Sequence, residues 1–184
     1  MADLTVTQLL HSIRGGDLEA REQLASRLFD ELHKLASARL RSERYGHTLQ
    51  PTELVNEAYL RLDAGQLEFD NRGHFFASAA TAMRRVLVEH ARRRASAKRG
   101  GGVSPVTFED MGVAGNDQHL DLLALDDALS ALEAHDARLA KVVELRYFVG
   151  LSIPETAEAM GSSPATVKRD WVYARAWLYE RMME

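Results

Sequence analysis

The sequence predicts an all-α protein made of two small helical domains joined by a flexible linker. Three observations predict it. Apolar residues recur at helical spacing through most of the chain. No segment shows the sustained apolar–polar alternation between hairpin turns that marks a strand. The run KRGGGVSP at 98–105 breaks the helical pattern and opens a stretch without periodicity to about residue 119. The domains are then 1–97 and 121–184, with 98–120 as the linker. No internal repeat is present.

Leu9, Leu10 and Ile13 form a short first helix, ended by Gly15 and Gly16. Asp17 is placed to cap the second helix, whose stripe is Leu24, Leu28, Leu32 and Leu35, with Phe29 and Ala36 beside it. That helix reaches to about Arg44, and Gly46 and Pro51 punctuate the connection to the third. Thr52 is the expected N-cap of this third helix, with Leu54, Val55, Ala58, Tyr59 and Leu62 inward. After a polar loop over 63–73, a long helix carries Phe75, Phe76, Ala79, Ala80, Met83, Val86, Leu87 and Ala91.

Beyond the linker, Leu122, Leu125, Leu129 and Leu132 line a helix near 121–134. Leu139, Val142 and Val143 line another near 136–148, with Gly150 after it. Ser152 and Glu155 then form a capping box, Ala157 and Met160 supply a small inner face, and Gly161 permits a tight turn. Ser163 is an N-cap with Pro164 at the first helical position, and Val167, Trp171, Ala174 and Leu178 make the inward stripe of the last helix. Two helices joined by a short glycine-containing turn match a helix-turn-helix, whose second helix enters the major groove of DNA. Thr166, Lys168 and Arg169 point outward near its start, where they reach base edges and phosphates. The alternative is an ordinary helical hairpin.

Composition bounds the function. In 184 residues, 46% hydrophobic and 27% charged content describes a globular chain rather than a disordered one. The absence of cysteine excludes disulfide scaffolds, thiolate metal sites and cysteine nucleophiles. No apolar run reaches membrane-spanning length, and the N-terminus lacks the zones of a signal peptide, so a cytoplasmic protein without membrane contact is expected. His74, Glu89, His90 and His119 invite thoughts of a metal or a general base. No HExxH, paired-carboxylate or phosphate-loop pattern accompanies them, so neither an enzyme nor a metal or other cofactor is expected.

The net charge of −4 hides a segregation. Residues 84–99 hold seven Arg/Lys against one acid, Glu89, whereas 100–137 hold no Lys or Arg and eight acids, among them Asp126 and Glu133. Adjacent blocks of opposite sign imply different electrostatic surroundings in the bound state. From 138 to 184 there are seven basic and six acidic residues. Phosphate neutralisation supplies most non-specific DNA affinity, so a near-neutral reading module binds weakly unless something delivers it.

Three motifs in order resemble the extracytoplasmic-function type of RNA polymerase sigma-70 family factors, over nearly the whole chain. TELVNEAYLRL (52–62) is similar to the family's region 2.1–2.2, AMRRVLVEHARRR (82–94) to its region 2.3–2.4 helix, and SIPETAEAMGSSPATVKRDWVYARAWL to its region 4.2. The resemblance implies that 1–97 is sigma region 2 and 121–184 is sigma region 4. It implies a transcription initiation factor that binds core RNA polymerase and promoter DNA. Glu53, Asn56, Glu57, Leu60 and Arg61 would meet the β′ clamp helices, and the C-terminal domain the β flap. Asn71, Arg72, His74 and Phe75, with Arg84, Arg85, Arg92 and Arg93, would bind and melt the −10 element; Arg94 belongs to the same backbone grip. Extruding a base costs about a few kcal/mol of unstacking. Ser163, Thr166, Lys168, Arg169 and Arg175 would read the −35 element. The linker acids Glu109, Asp110 and Asp117 would lie in the polymerase cleft, imitating nucleic acid against a basic channel.

Two positions depart from the family pattern. The stretch before LVNEAYLRL carries a single acid, in Gln50-Pro51-Thr52-Glu53, where members often have several. A phosphate on Thr52 would add nearly two negative charges at a helix N-terminus, so a Ser/Thr kinase is a candidate partner, as is an anti-sigma factor. Arg85 stands where many members place asparagine. Two other readings stay open: a stand-alone helix-turn-helix regulator that dimerises on an operator, and a helical adaptor that binds protein only.

Overall fold

The computed structural model describes residues 6–42, 49–63, 69–97, 105–107 and 119–183. The sequence expectations at Arg44, Gly46, the glycines of 100–102, Glu109, Asp110 and Asp117 lie outside the described residues. The described chain forms α1 (Val6–Arg14), α2 (Leu18–Ser42), α3 (Pro51–Asp63) and α4 (Arg72–Ala97). After these come β1 (Pro105–Thr107), β2 (His119–Asp121), α5 (Leu122–His135), α6 (Ala137–Val143), α7 (Ile153–Ala159) and α8 (Pro164–Met183). The fold is all-α apart from β1 and β2, which pair antiparallel, Pro105 opposite Asp121 and Thr107 opposite His119. This short ladder joins the stretch read as linker to Asp121, the first residue assigned to the C-terminal domain, and three-residue strands are too brief to leave an alternating signature.

Local chemistry sets the helix ends. Gly16 takes φ +86°, which closes α1, and Asp17 Oδ1 accepts from Ala20 N at 3.1 Å to open α2. Thr52 is not the cap of α3. The backbone carbonyl of Gln50 accepts from Leu54 N, and Glu53 Oε2 accepts from Gln50 N–H at 2.9 Å. Gln50 is therefore the cap residue and Pro51 the first helical residue, where its missing N–H costs nothing. Asp136 caps α6 by accepting from Arg138 N and Leu139 N.

After Val143 the helix widens into a π turn over Glu144–Val149, closed by Gly150 at φ +90°. Every residue of that turn except Arg146 is buried, because α4, α6 and α7 all pack on it. One apolar core runs without a break from Leu9 through Phe75, Phe76 and Met83 to Leu145, Phe148 and Leu178. The C-terminal helices thus seat on α4, through the π turn, α5 and α7.

The capping box at α7 is complete. Ser152 Oγ accepts from Glu155 N, and Glu155 Oε2 accepts from Ser152 N–H at 2.7 Å. Hydrogen bonds from the Ser152 hydroxyl and then from its backbone N–H hold the Glu155 carboxyl below its ordinary value of 4.5. A depressed folded-state value gives stability that is full above pH 4.5 and is lost as pH falls through the folded value. Ser152→Ala should therefore cost about 1 kcal/mol in urea unfolding at about pH 7. The difference from the parent chain should shrink as the pH is lowered below about 4.

Candidate nucleic-acid interface

The turn 160–163 joins α7 to α8. Gly161 sits at φ +57°, a left-handed conformation that glycine adopts without a Cβ clash. Ser163 Oγ accepts from Thr166 N at 3.1 Å and lies 2.8 Å from Thr166 Oγ1, so these two hydroxyls engage each other at the head of α8. Val167, Trp171, Ala174 and Leu178 bury one face of α8, which leaves Lys168 and Arg169 exposed on the other. Arg138 fixes the unit from below. Its Nε donates to the buried Asp170 at 2.9 Å and a terminal nitrogen donates to Ser162 Oγ at 2.8 Å.

Arg175 is placed differently from Lys168 and Arg169. It is half-buried, its guanidinium lies 5.7 Å from the Trp171 ring centroid, and Arg146 lies over the same ring at 4.9 Å. Burial lowers the pKa of both guanidiniums, and the charge of Arg175 adds to the effect on Arg146. The Nε of each is buried without a hydrogen-bond partner. Arg175 thus packs on the tryptophan that anchors the helix.

On the N-terminal side, Asn71 caps α4, its Oδ1 accepting from His74 N at 2.9 Å. Asn71 and His74 are exposed, and His74 Nδ1 accepts from Asp70 N–H at 3.3 Å. Phe75 is a core residue, 1% exposed and packed edge-on against Phe69 and Phe76. In this arrangement it cannot stack on a base, because its ring is enclosed in the core rather than open to solvent. Arg72 bonds Glu31 of α2 and Glu158 of α7, the latter at 3.4 Å, and lies over the Phe76 ring.

The cations along α4 divide sharply. Arg85, Arg92 and Arg93 are exposed, and Arg94 is half-buried. Arg84, next to the exposed Arg85, is only 9% exposed and is taken up by the C-terminal helices. Its Nε donates to Asp126 Oδ1 at 2.7 Å, and its terminal nitrogens donate to Glu144 Oε1 at 3.2 Å, Ser130 Oγ at 2.8 Å and the Asp126 carbonyl at 3.0 Å. Thr81 and Lys141 complete the surroundings of Glu144. Arg84 is therefore a structural residue in this arrangement, and the reason is the pair of carboxylates opposite it. Sequence reasoning counted Asp126 within an acidic block and passed over Glu144. The available signal was an acid inside the apolar run VVELRYFV, since a buried carboxylate requires a partner.

The third surface is the outer face of α3. Glu53, Asn56 and Leu60 are exposed, Leu60 at 67%. Glu57 is half-buried, and Arg61 turns inward to Glu89 of α4 at 2.7 Å. Thr52 is exposed on the first turn, with Oγ1 3.0 Å from His33 Nε2.

Two helices, α4 and α8, carry exposed arginine or lysine on an all-α frame. Among the described residues no group of side chains is arranged to hold a metal ion, and no helix is long and apolar enough to cross a membrane. A family model described as ECF sigma factor matches residues 3–184, and the chain belongs to that family. Comparison with curated proteins and with solved structures gives no match. The protein is thus a sigma factor that serves transcription initiation, in a family whose role is regulatory and whose members bind core RNA polymerase, promoter DNA and anti-sigma factors.

The difference between Arg84 and Arg85 is measurable. Arg84→Ala leaves Glu144 and Asp126 short of their main cation and should cost about 3 kcal/mol of unfolding free energy. Arg85→Ala, at an exposed neighbouring position, should change it by less than about 0.5 kcal/mol. Guanidinium titration of the two variants checks this.

Proposed function

We propose that the protein directs core polymerase to promoters with a division of labour along the chain. Region 2 comprises 1–97, and region 4 comprises 121–184. The head of α8 reads the −35 element through Lys168 and Arg169, with Ser163 and Thr166 ordering its first turn. The observation that carries this reading is the polarity of α8: one face is locked in the core by Val167, Trp171, Ala174 and Leu178, which fixes the direction in which the two cations project. Arg175 supports that face by packing on Trp171. The α4 helix and the loop before it bind the −10 element, with Asn71, Arg72 and His74 near the melted base and the exposed Arg85, Arg92 and Arg93 on the backbone. The exposed face of α3, centred on Leu60, docks on the polymerase clamp helices, and region 4 meets the β flap. The protein works in the cytoplasm, where its polymerase is.

A phosphate on Thr52 would sit on the first turn of α3, beside His33 and next to the clamp-binding face. Its added negative charge would be favoured by the helix N-terminus. The exposure of Thr52 supports a kinase's access to it.

Run-off transcription from a genomic promoter set with core polymerase tests the whole assignment. The parent chain should make transcription promoter-dependent. Lys168→Ala/Arg169→Ala should lower it by about 10-fold or more at −35-dependent promoters, since each lost contact is worth about 1 kcal/mol or more. Leu60→Arg should abolish it by loss of polymerase binding. Transcription independent of the parent chain would refute the assignment and favour a stand-alone regulator. Thr52→Glu no more active than Thr52→Ala would refute the phosphorylation proposal.

A further inference from the structure

The last helix is apolar on two sides. Val167, Trp171, Ala174 and Leu178 of α8 are buried, and α5, α6 and α7 pack on the helix. Helical spacing puts Val172, Ala176, Tyr179 and Met183 in a stripe on the opposite side, with Tyr173 beside it. The large apolar side chains exposed among the described residues are Leu60 on α3 and, on this one face of α8, Val172 at 57%, Tyr173 at 53% and Met183 at 46%. Exposed apolar residues scattered singly need no explanation, but a contiguous row of them marks a contact surface. Val172, Tyr173, Ala176 and Tyr179 line a groove there. The edges of the face are held from below: Trp177 stacks on His135 with ring centroids 5.9 Å apart, and Arg175 lies on Trp171.

The same face is charged at its two ends. Arg169 stands at the N-terminal end and Glu180 at the C-terminal end, both exposed. They are about three helical turns apart, and Tyr173 and Ala176 straddle the midpoint between them. A second copy of α8 laid antiparallel about that midpoint brings Arg169 opposite the partner's Glu180, twice by symmetry. The same register sets Tyr173 against the partner's Ala176, large against small. A face with a cation at one end, an anion at the other and an apolar middle is complementary to itself turned end for end. A foreign partner would have to supply that pattern, whereas a second copy already carries it.

We propose that this face of α8 pairs two copies of the chain, antiparallel about the midpoint of Tyr173 and Ala176. One helix pair of this length falls at the low end of interface sizes, below roughly 1,200 Å², so the dimer is weak, with a Kd on the order of 10 µM, and dilute chain is monomeric. Pairing covers Arg169, with Lys168 at the edge of the contact. Self-pairing and reading of DNA by these cations therefore exclude each other. That consequence rests on the −35 reading; the pairing itself does not.

Sedimentation equilibrium of the full chain from about 1 to 200 µM reads the association. The parent chain should pass from monomer to dimer across this range. Arg169→Glu sets like charges opposite each other in its own dimer, and so does Glu180→Arg, so each should weaken association by about tenfold. An equimolar mixture of these two variants puts opposite signs back at both pairs and should associate as tightly as the parent, a recovery that misfolding cannot produce. Tyr173→Glu, at an exposed position, should leave the chain monomeric with its helix content unchanged in circular dichroism. The charge variants carry the test if Tyr173→Glu does not fold. A parent chain that stays monomeric at the highest concentration would overturn the proposal, as would association that none of the variants weakens, or a mixture no tighter than its components. A monomeric parent whose Tyr173→Glu variant loses core polymerase would give the face to polymerase and overturn it too. A parent chain that yields no promoter-dependent transcript counts against the −35 reading alone.

Discussion

Arg84 sits where the two halves of the chain meet, and its guanidinium cannot be buried there without acceptors. An arginine stays charged in a protein interior, so burying one is costly unless acceptors meet it as the helices close over it. Asp126, Glu144, Ser130 and a backbone carbonyl supply those acceptors from α5 and the π turn. The requirement is mutual, because Glu144 is itself buried and depends on Arg84, Lys141 and Thr81. Neither side of the contact is tolerable in this environment without the other.

The rest of the architecture arranges itself around that pair. The π turn places Glu144 toward α4 while Leu145, Phe148 and Val149 enter the core, a combination in which nearly every residue of the turn is buried. The segregation of charge in the sequence also gains a physical meaning. The basic stretch of α4 and the acids of α5 and the π turn are far apart in sequence, 42 and 60 residues at Arg84, and face each other in space. The mixed charge of the C-terminal half is well suited to packing against a cationic helix.

Much of this was legible from residue order. The helical stripes of α2, α4, α5 and α8 were plain from spacing, and so were the Asp17 and Ser163 caps, the Ser152–Glu155 capping box and the Gly161 turn. These features are local, set by neighbours within a few residues. Three others were not legible. The cap of α3 shifted from Thr52 to Gln50 because Glu53 reaches back to a backbone N–H that no pattern weighs against a threonine hydroxyl. Phe75 stood in the apolar pattern of α4 and also among the base contacts; it and Phe76 are both buried, and spacing alone does not say that the first turn of the helix is covered as fully as its middle. The partnership of Arg84 with Asp126 and Glu144 spans 42 and 60 residues and depends on how the halves dock, information that spacing does not carry.

The central claim is that the C-terminal helices pack on α4 in the free protein. Small-angle X-ray scattering of the full chain in moderate salt tests it most directly. A single packed body of 184 residues should give a radius of gyration of about 16 Å. A value above about 20 Å, as two helical units moving independently on a linker would give, contradicts it.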